Sequence, residues 1–363
     1  MRGRRRGNPI ARGRRRGHAV LGAALGLLAL AACTPLSPGP RTPRAAPHAE
    51  GPAAFDLTGA RAQSSVERLV SVGSRAPGSA SADRAANWIA QELAGLGVAT
   101  ERWSSDAGEA GPTRAVVGRV RGEAGDPILV LARYDTLPGE RDGEGPRNRA
   151  AARGPALVLE LARDFVRTPR PFPVWLIFLE GDGYGGRTAA GAAGRYPGSQ
   201  AAASVLAARD LIERVRLAVF IGPLPGPGFV IERDLRSHPV YRESFWQRAG
   251  VLGAAEMFPG VPDDFDSPGA GHLALLAAGI RPTVALVGRP PSDPAPPLAK
   301  ASEAAELEKL ARVSLAAIDE ILGRLRGIDG FSTSSPGDPS GGSAPDGLAA
   351  PLPGTPGAAS RGR

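Results

Sequence analysis

Apolar runs of five to eight residues alternate with stretches of helical period through the middle of the chain. "SADRAANWIAQELAGLG" (81–97) sets Trp88, Ile89, Leu93 and Leu96 on one helical face and ends in a glycine stop. "RAVVGRV" (114–120) and "PILVLA" (127–132) follow as strands, and "GPALVLELARDFV" (154–166) reads as a buried helix. "FPVWLIFL" (172–179) is the clearest central strand, and "SVLAARDLIERV" (204–215) is helical. "LAVFIG" (217–222) and "GFVIER" (228–233) are strands, and "LALLAAGI" (273–280) leads into the strand "PTVALVG" (282–288). The last helix, Ser302 to Leu325, lines up Leu307, Leu310, Ile318, Ile321, Leu322 and Leu325. Strands separated by helices predict an α/β fold. It is a single domain with a twisted, mostly parallel, mixed central sheet and helices on both faces.

The two ends do not fit that pattern. Residues 1–32 carry eight arginines and no acid, then the apolar run "AVLGAALGLLALAA", which reads as a secretory signal rather than a membrane span. "LAAC", Leu30 to Cys33, resembles the bacterial lipobox, in which the cysteine is lipidated and becomes the new amino terminus. Arg14 to Arg16 leave twin-arginine export open, and a plain secreted protein is the blander alternative. Cys33 is the only cysteine, so no disulfide, zinc knuckle or cysteine nucleophile is available to the folded part. Residues 33–52 form a proline-rich linker, 53–327 the globular domain, and 328–363 a disordered Gly/Pro/Ser tail. The eight arginines of the signal account for the whole net charge of +8, so a neutral mature chain excludes nucleic acid as a partner. The expected partner is a membrane, through lipidated Cys33, and the expected location is the bacterial cell envelope, as an exported lipoprotein on the periplasmic side.

Charge at a strand end is the first chemical signal. "PILVLARYDT" delivers Arg133 and Asp135 at the carboxyl end of a buried strand, where ligands sit in open α/β sheets. Arg133 either faces solvent or lies in a pocket. "GDGYGG" (181–186) matches G-x-G-x-x-G, but Asp182 would face the phosphates of a dinucleotide and the motif falls late in the domain. Neither G-x-S-x-G nor H-E-x-x-H occurs. His18 and His48 fall in the signal and linker, which leaves His238, read as a surface or capping residue, and His272. "DDFD" (263–266) offers oxygens to a hard cation but reads better as a solvated loop.

These segments in order resemble a known family. "VGSRAPGS", a helix with a tryptophan, "VVGRVRG", "ILVLARYDT", "ALVLELAR", "VWLIFLEGDG", "FVIERDLRS" and "GHLALLAAGIRP" are similar to the zinc aminopeptidases and glutaminyl-peptide cyclotransferases of metallopeptidase family twenty-eight, over nearly all of 53–327. The resemblance implies a zinc-aminopeptidase-like fold, an active site at the carboxyl ends of central strands, and zinc chemistry on peptide amino termini. The family's zinc ligands are nevertheless missing. Its His-x-Asp reads Arg133-Tyr134-Asp135, its Asn-Asp falls at Arg149-Ala150, and its paired acids read Asp182-Gly183. A further aspartate aligns with Val219, and the final histidine should lie in "GRPPSDPAPP", which has none. His272 matches a different family histidine.

Zinc needs three or four converging imidazole, thiolate or carboxylate ligands, and a guanidinium cannot coordinate it. The resemblance leaves Asp182 at the general-base position, with Arg133, Asp135, Glu180, Gly183 and His272 as the expected pocket and no metal ligand. Arg133 is expected to pair with Asp182 or Asp135, replacing lost positive charge. The chain thus reads as a lipid-anchored pseudoenzyme without a cofactor that binds a peptide or protein N-terminus or serves as an envelope scaffold. Two alternatives stay open. One is an active glutaminyl cyclase or aminopeptidase holding zinc, and the other a metal-independent hydrolase using Asp182.

Overall fold

β1 (Ala99–Asp106), β2 (Pro112–Val120), β4 (Val174–Leu179), β3 (Ile128–Arg133), β5 (Leu217–Ile221) and β7 (Thr283–Leu286) form one sheet in that spatial order. The computed structural model describes residues 55, 57–106, 112–137, 145–184, 196–260, 270–290 and 300–333. The signal, Cys33, the linker, residues 263–266 and residues 334–363 lie outside the described residues. β4, β3, β5 and β7 run parallel, while β1 and β2 join antiparallel at one edge. A short ladder of β6 (Val230–Ile231) and β8 (Gly288–Arg289) stands apart.

The parallel strands are apolar on both faces because helices cover both. Val130, Ala132 and Val219 pack toward α1 (Gly59–Ser71), α2 (Ala80–Gly95), α3 (Pro146–Arg167), α5 (Pro239–Val251) and α7 (Lys300–Thr333). Alternate residues Leu129, Leu131, Ile177 and Phe220 pack toward α4 (Pro197–Ala207) and α6 (His272–Ala277). This is the period-two alternation of a strand buried on both sides, and it makes β3 and β4 the centre of the fold.

The expected α/β architecture is present, with several shifts. β1 and α5 carry weak periodicity in the sequence, whereas α1 keeps Ala62, Val66, Leu69 and Val70 at helical spacing. Thr58 starts α1 by accepting the Arg61 N–H, and His238 starts α5 by accepting the Tyr241 N–H at Nδ1, the capping role expected of it. The helix expected over 204–215 runs instead from Pro197 to Ala207 and stops before Asp210, whose φ of 55° is left-handed. Only a short 3-10 turn, Ile212–Arg214, follows it. "GFVIER" contributes just two ladder residues, outside the main sheet. α7 continues to Thr333, so the domain does not end at 327, and Asp329 accepts from Arg216 at 2.6 Å.

Glu303 fastens α7 to α3. Its carboxylate accepts from Arg153 Nε at 2.6 Å and from Arg149, and Arg153 also donates to the Leu224 carbonyl at 2.7 Å. Arg153 is 3% exposed, so removing its partner leaves a buried charge uncompensated. Glu303→Ala should lower the unfolding free energy by about 3–5 kcal/mol, measured by denaturant titration. A loss under about 1 kcal/mol would show that water replaces the carboxylate.

Candidate functional site

The chain leaves β3 for β4 on one side and returns to β5 on the other, so the strand order reverses between β3 and β5. In doubly wound sheets such a reversal opens a crevice at the carboxyl ends of the strands. A pocket of about 220 Å³ lies there. Arg133 comes from the end of β3, Asp182 and Gly183 from the turn after β4, and Phe220 from the end of β5. Gly271, just before α6, and Tyr196, just before α4, complete the chemical part of the wall.

Asp182 is buried and fully engaged. Its Oδ1 accepts the Ser199 N–H at 2.9 Å, and its Oδ2 accepts the Ser199 hydroxyl. A bond from the Gly198 N–H also favours the charged form, whereas burial raises its pKa overall. The residue at the helix boundary, Tyr196, gives α4 no side-chain cap. Asp182 therefore caps that helix from a different loop, with its negative charge at the positive end of the helix dipole. Pro197 at the first helical position fixes where those N–H groups lie. Gly198 is needed in this turn, because a Cβ there would meet the Glu180 carbonyl oxygen at 2.4 Å.

Asp135 sits behind the pocket wall, entirely buried. Its Oδ2 accepts the Gly183 N–H at 2.7 Å, while Oδ1 has no hydrogen-bond partner among the described residues. Burial pushes its pKa up to about 7, against the pull of the Arg133 charge, and the nearby Asp182 adds to the rise.

Arg133 is half-buried at the pocket wall. Among the described residues its guanidinium forms no ion pair or hydrogen bond, so the expected direct pairing is replaced by an influence through space on both carboxylates.

Three of the expected pocket residues are buried behind the pocket rather than lining it. Besides Asp135, Glu180 is turned into the fold, accepting the Gly78 N–H and the Tyr134 hydroxyl at 2.6 Å each. It therefore ties the loop before α2 to β3. His272 starts α6 with its ring wholly buried, its Nε2 lying 3.1 Å from Asp234 Oδ2 but off the line of a full hydrogen bond. Burial works against the Asp234 carboxylate, but His272 and the Ser237 hydroxyl, at 2.7 Å, hold it below the usual carboxylate range. That cluster belongs to the packing of α6 on β7, where Ser237 Oγ accepts the Ala285 N–H.

Arg75 had no assigned role in the sequence, yet it holds the site together. Its guanidinium, buried to 0% exposure, donates to the Tyr134 and Leu69 carbonyls at 2.7 Å each and to the Asn148 side chain and carbonyl. Its backbone exchanges hydrogen bonds with Thr136, so both neighbours of Asp135 are clamped. A buried guanidinium satisfied by neutral oxygens is hard to foresee from "GSRAPG" alone.

The zinc ion that the resemblance implies does not fit the described residues. No group of three His, Cys, Asp or Glu side chains converges among them. Of the described aligned ligand positions, Arg133 and Gly183 reach the pocket, whereas Ala150 and Val219 are core residues that do not line it. Residues 291–299, which hold most of the segment aligned with the final histidine, lie outside the described residues. At Gly183 even a Cβ would lie 2.6 Å from Asp135 Oδ2 and from the Thr136 carbonyl oxygen. A carboxylate there has no room.

The fold is shared with solved structures at low identity. A glutaminyl cyclase from an Acidobacteriales bacterium is 18% identical, covering 77% of this chain and 99% of its own, with a TM-score of 0.64. A leucine aminopeptidase precursor from Bacteroides thetaiotaomicron is 19% identical over 73% of this chain and 97% of its own, at 0.61. The glutaminyl cyclase of Fimbriiglobus ruber is 22% identical over 74% and 97%, at 0.58. No family model and no curated protein matches the sequence. The likeness establishes the fold.

Gly183→Glu should destabilise the protein by about 1–3 kcal/mol through overpacking against Asp135 and Thr136, measured by denaturant unfolding. A variant as stable as the parent would contradict the crowding.

Asp135 gives a pH signature. Its folded pKa is raised from 3.8 to about 7, so the folded state holds the proton more tightly and its contribution falls as pH rises through that window. Asp135→Asn should remove the fall. The variant's stability relative to the parent should then grow between pH 4 and 7, by up to about 4 kcal/mol, in unfolding curves at several pH values. A flat difference would mean that Asp135 titrates normally.

Proposed function

We propose that this chain is an exported, lipid-anchored domain on the glutaminyl-cyclase and aminopeptidase fold that performs no zinc chemistry and binds the end of a peptide or protein in its pocket. The observation that carries this reading is Gly183, backbone-bonded to Asp135 where the family places a metal carboxylate, with no space for a side chain. Arg133 supports it, since a permanently protonated guanidinium on the pocket wall repels a divalent cation. The lipobox-like "LAAC" supports export and anchoring.

The site favours neither reading that keeps an activity. Glutaminyl cyclisation and aminopeptidase chemistry need an electrophile to polarise the carbonyl or activate water. A hydrolase built on Asp182 needs that carboxylate to reach its substrate. Both Asp182 oxygens already accept from Ser199, and Gly271 crowds Oδ2, where a Cβ would lie 2.3 Å away. Asp182 is thus a helix-capping group that also forms pocket wall. What the described pocket wall keeps is shape, apolar surface and the Arg133 cation, which are the means of binding.

Elemental analysis of the purified full chain, combined with turnover of an N-terminal glutaminyl peptide and an aminoacyl anilide, tests this. Substoichiometric metal and no turnover are expected; stoichiometric zinc with activity would overturn the reading. Activity that survives a chelator and disappears in Asp182→Ala would establish the metal-independent hydrolase instead.

A further inference from the structure

We infer that the pocket accepts a neutral carbonyl, the amide of a residue-sized apolar group, on the Arg133 guanidinium. This rests on the peptide-end reading above and specifies which chemistry of an end is recognised.

Unspent hydrogen-bonding capacity comes first. Asp182 already receives the Ser199 N–H and hydroxyl, and Asp135 and its Gly183 donor face each other behind the wall. Arg133 is the polar side chain of the pocket that, among the described residues, has its donors unspent. A guanidinium is donor only, so what it selects is an oxygen acceptor.

Charge then decides between acceptors. Among the described residues of the pocket wall Arg133 is the cation, and it pulls on both buried carboxyl groups. A ligand carboxylate would add negative charge beside two acids that burial already drives toward their neutral forms. A ligand ammonium would meet like charge at Arg133, beside an Asp182 whose two oxygens already accept from Ser199. A carbonyl incurs neither cost.

Size and walls supply the rest. The volume of about 220 Å³ lies below the range of about 300–1,000 Å³ usual for drug-sized ligands, so the occupant is the size of one residue. Leu137, Phe220, Pro223 and Val287 give it apolar walls. Gly271 cannot grow a side chain, since a Cβ would lie 2.1 Å from Ser199 Oγ and 2.6 Å from the Phe220 ring, so the floor keeps its depth.

Three probes that share a leucyl side chain separate these cases: N-acetyl-L-leucinamide (neutral), N-acetyl-L-leucine (anionic) and L-leucinamide (cationic). Binding to the full chain is measured by calorimetry and ligand-observed NMR, with Arg133→Gln and Arg133→Met beside the parent. The neutral probe should bind most tightly, and both variants should weaken it roughly tenfold to a hundredfold, the range for a hydrogen bond to a charged donor. Tighter binding of the anionic or the cationic probe would overturn the inference, as would binding indifferent to Arg133 or no binding of any probe. Metal content and turnover are read on the same preparation. An active zinc protein would defeat the parent reading, whereas an inert protein preferring a charged probe would defeat this inference alone. Unfolding curves for both variants establish that they fold, and Arg133, half-buried at a strand end, tolerates both changes sterically.

Discussion

Two carboxylates are buried side by side where the central strands end, and something must compensate them. An isolated buried carboxylate is too costly to keep charged, and two neighbours raise each other's pKa. Backbone groups of the fold meet part of this cost. Asp182 is held by the first turn of α4, Asp135 by the Gly183 N–H, and the Arg133 charge acts on both through space. Each device constrains the chain around it. Capping by Asp182 requires Pro197 and Gly198 where they are, and the Asp135 bond requires a bare Gly183. The geometry that holds these acids is therefore the same geometry that leaves no room for a side chain at Gly183.

Much of this was legible in the sequence, for identifiable reasons. β3, β4 and β5 were readable because a strand buried on both faces must be apolar throughout, and "ILVLA", "VWLIFL" and "LAVFI" are. α3 and α7 were readable because their apolar stripes repeat over many turns. β1, "ATERWSSD", was missed because an edge strand carries polar residues, and α5 because few of its apolar residues are buried; α1 had the helical spacing of Ala62, Val66, Leu69 and Val70 and was readable from it. α4 was shifted because its apolar signal lies at its end, whereas its beginning is set by the Pro197 turn and by Asp182. "YPGS" carried the proline signal for that start.

The candidate site was legible in part. The meeting of Arg133, Asp182 and Gly183 followed from two neighbouring parallel strands, β3 and β4, ending on the same side of the sheet. The depth of Glu180 and His272 did not, since a carboxylate or imidazole beside a strand end can face either the crevice or the core. Only their partners decide: Tyr134 and Gly78 for one, Asp234 for the other. The same limit hid Arg75, several of whose acceptors are backbone carbonyls that carry no mark in a sequence.

The central claim is that a guanidinium and backbone donors, not a divalent ion, satisfy the acids of this pocket. Thermal unfolding of the full chain with increasing Zn²⁺, and after exhaustive chelation, tests it most directly, because a ligand bound only by the native state raises the melting temperature with its concentration. The account predicts superimposable curves in chelator, in buffer and across the zinc series. A melting temperature that climbs with zinc and falls with chelator, in the parent but not in Asp182→Ala, would contradict it.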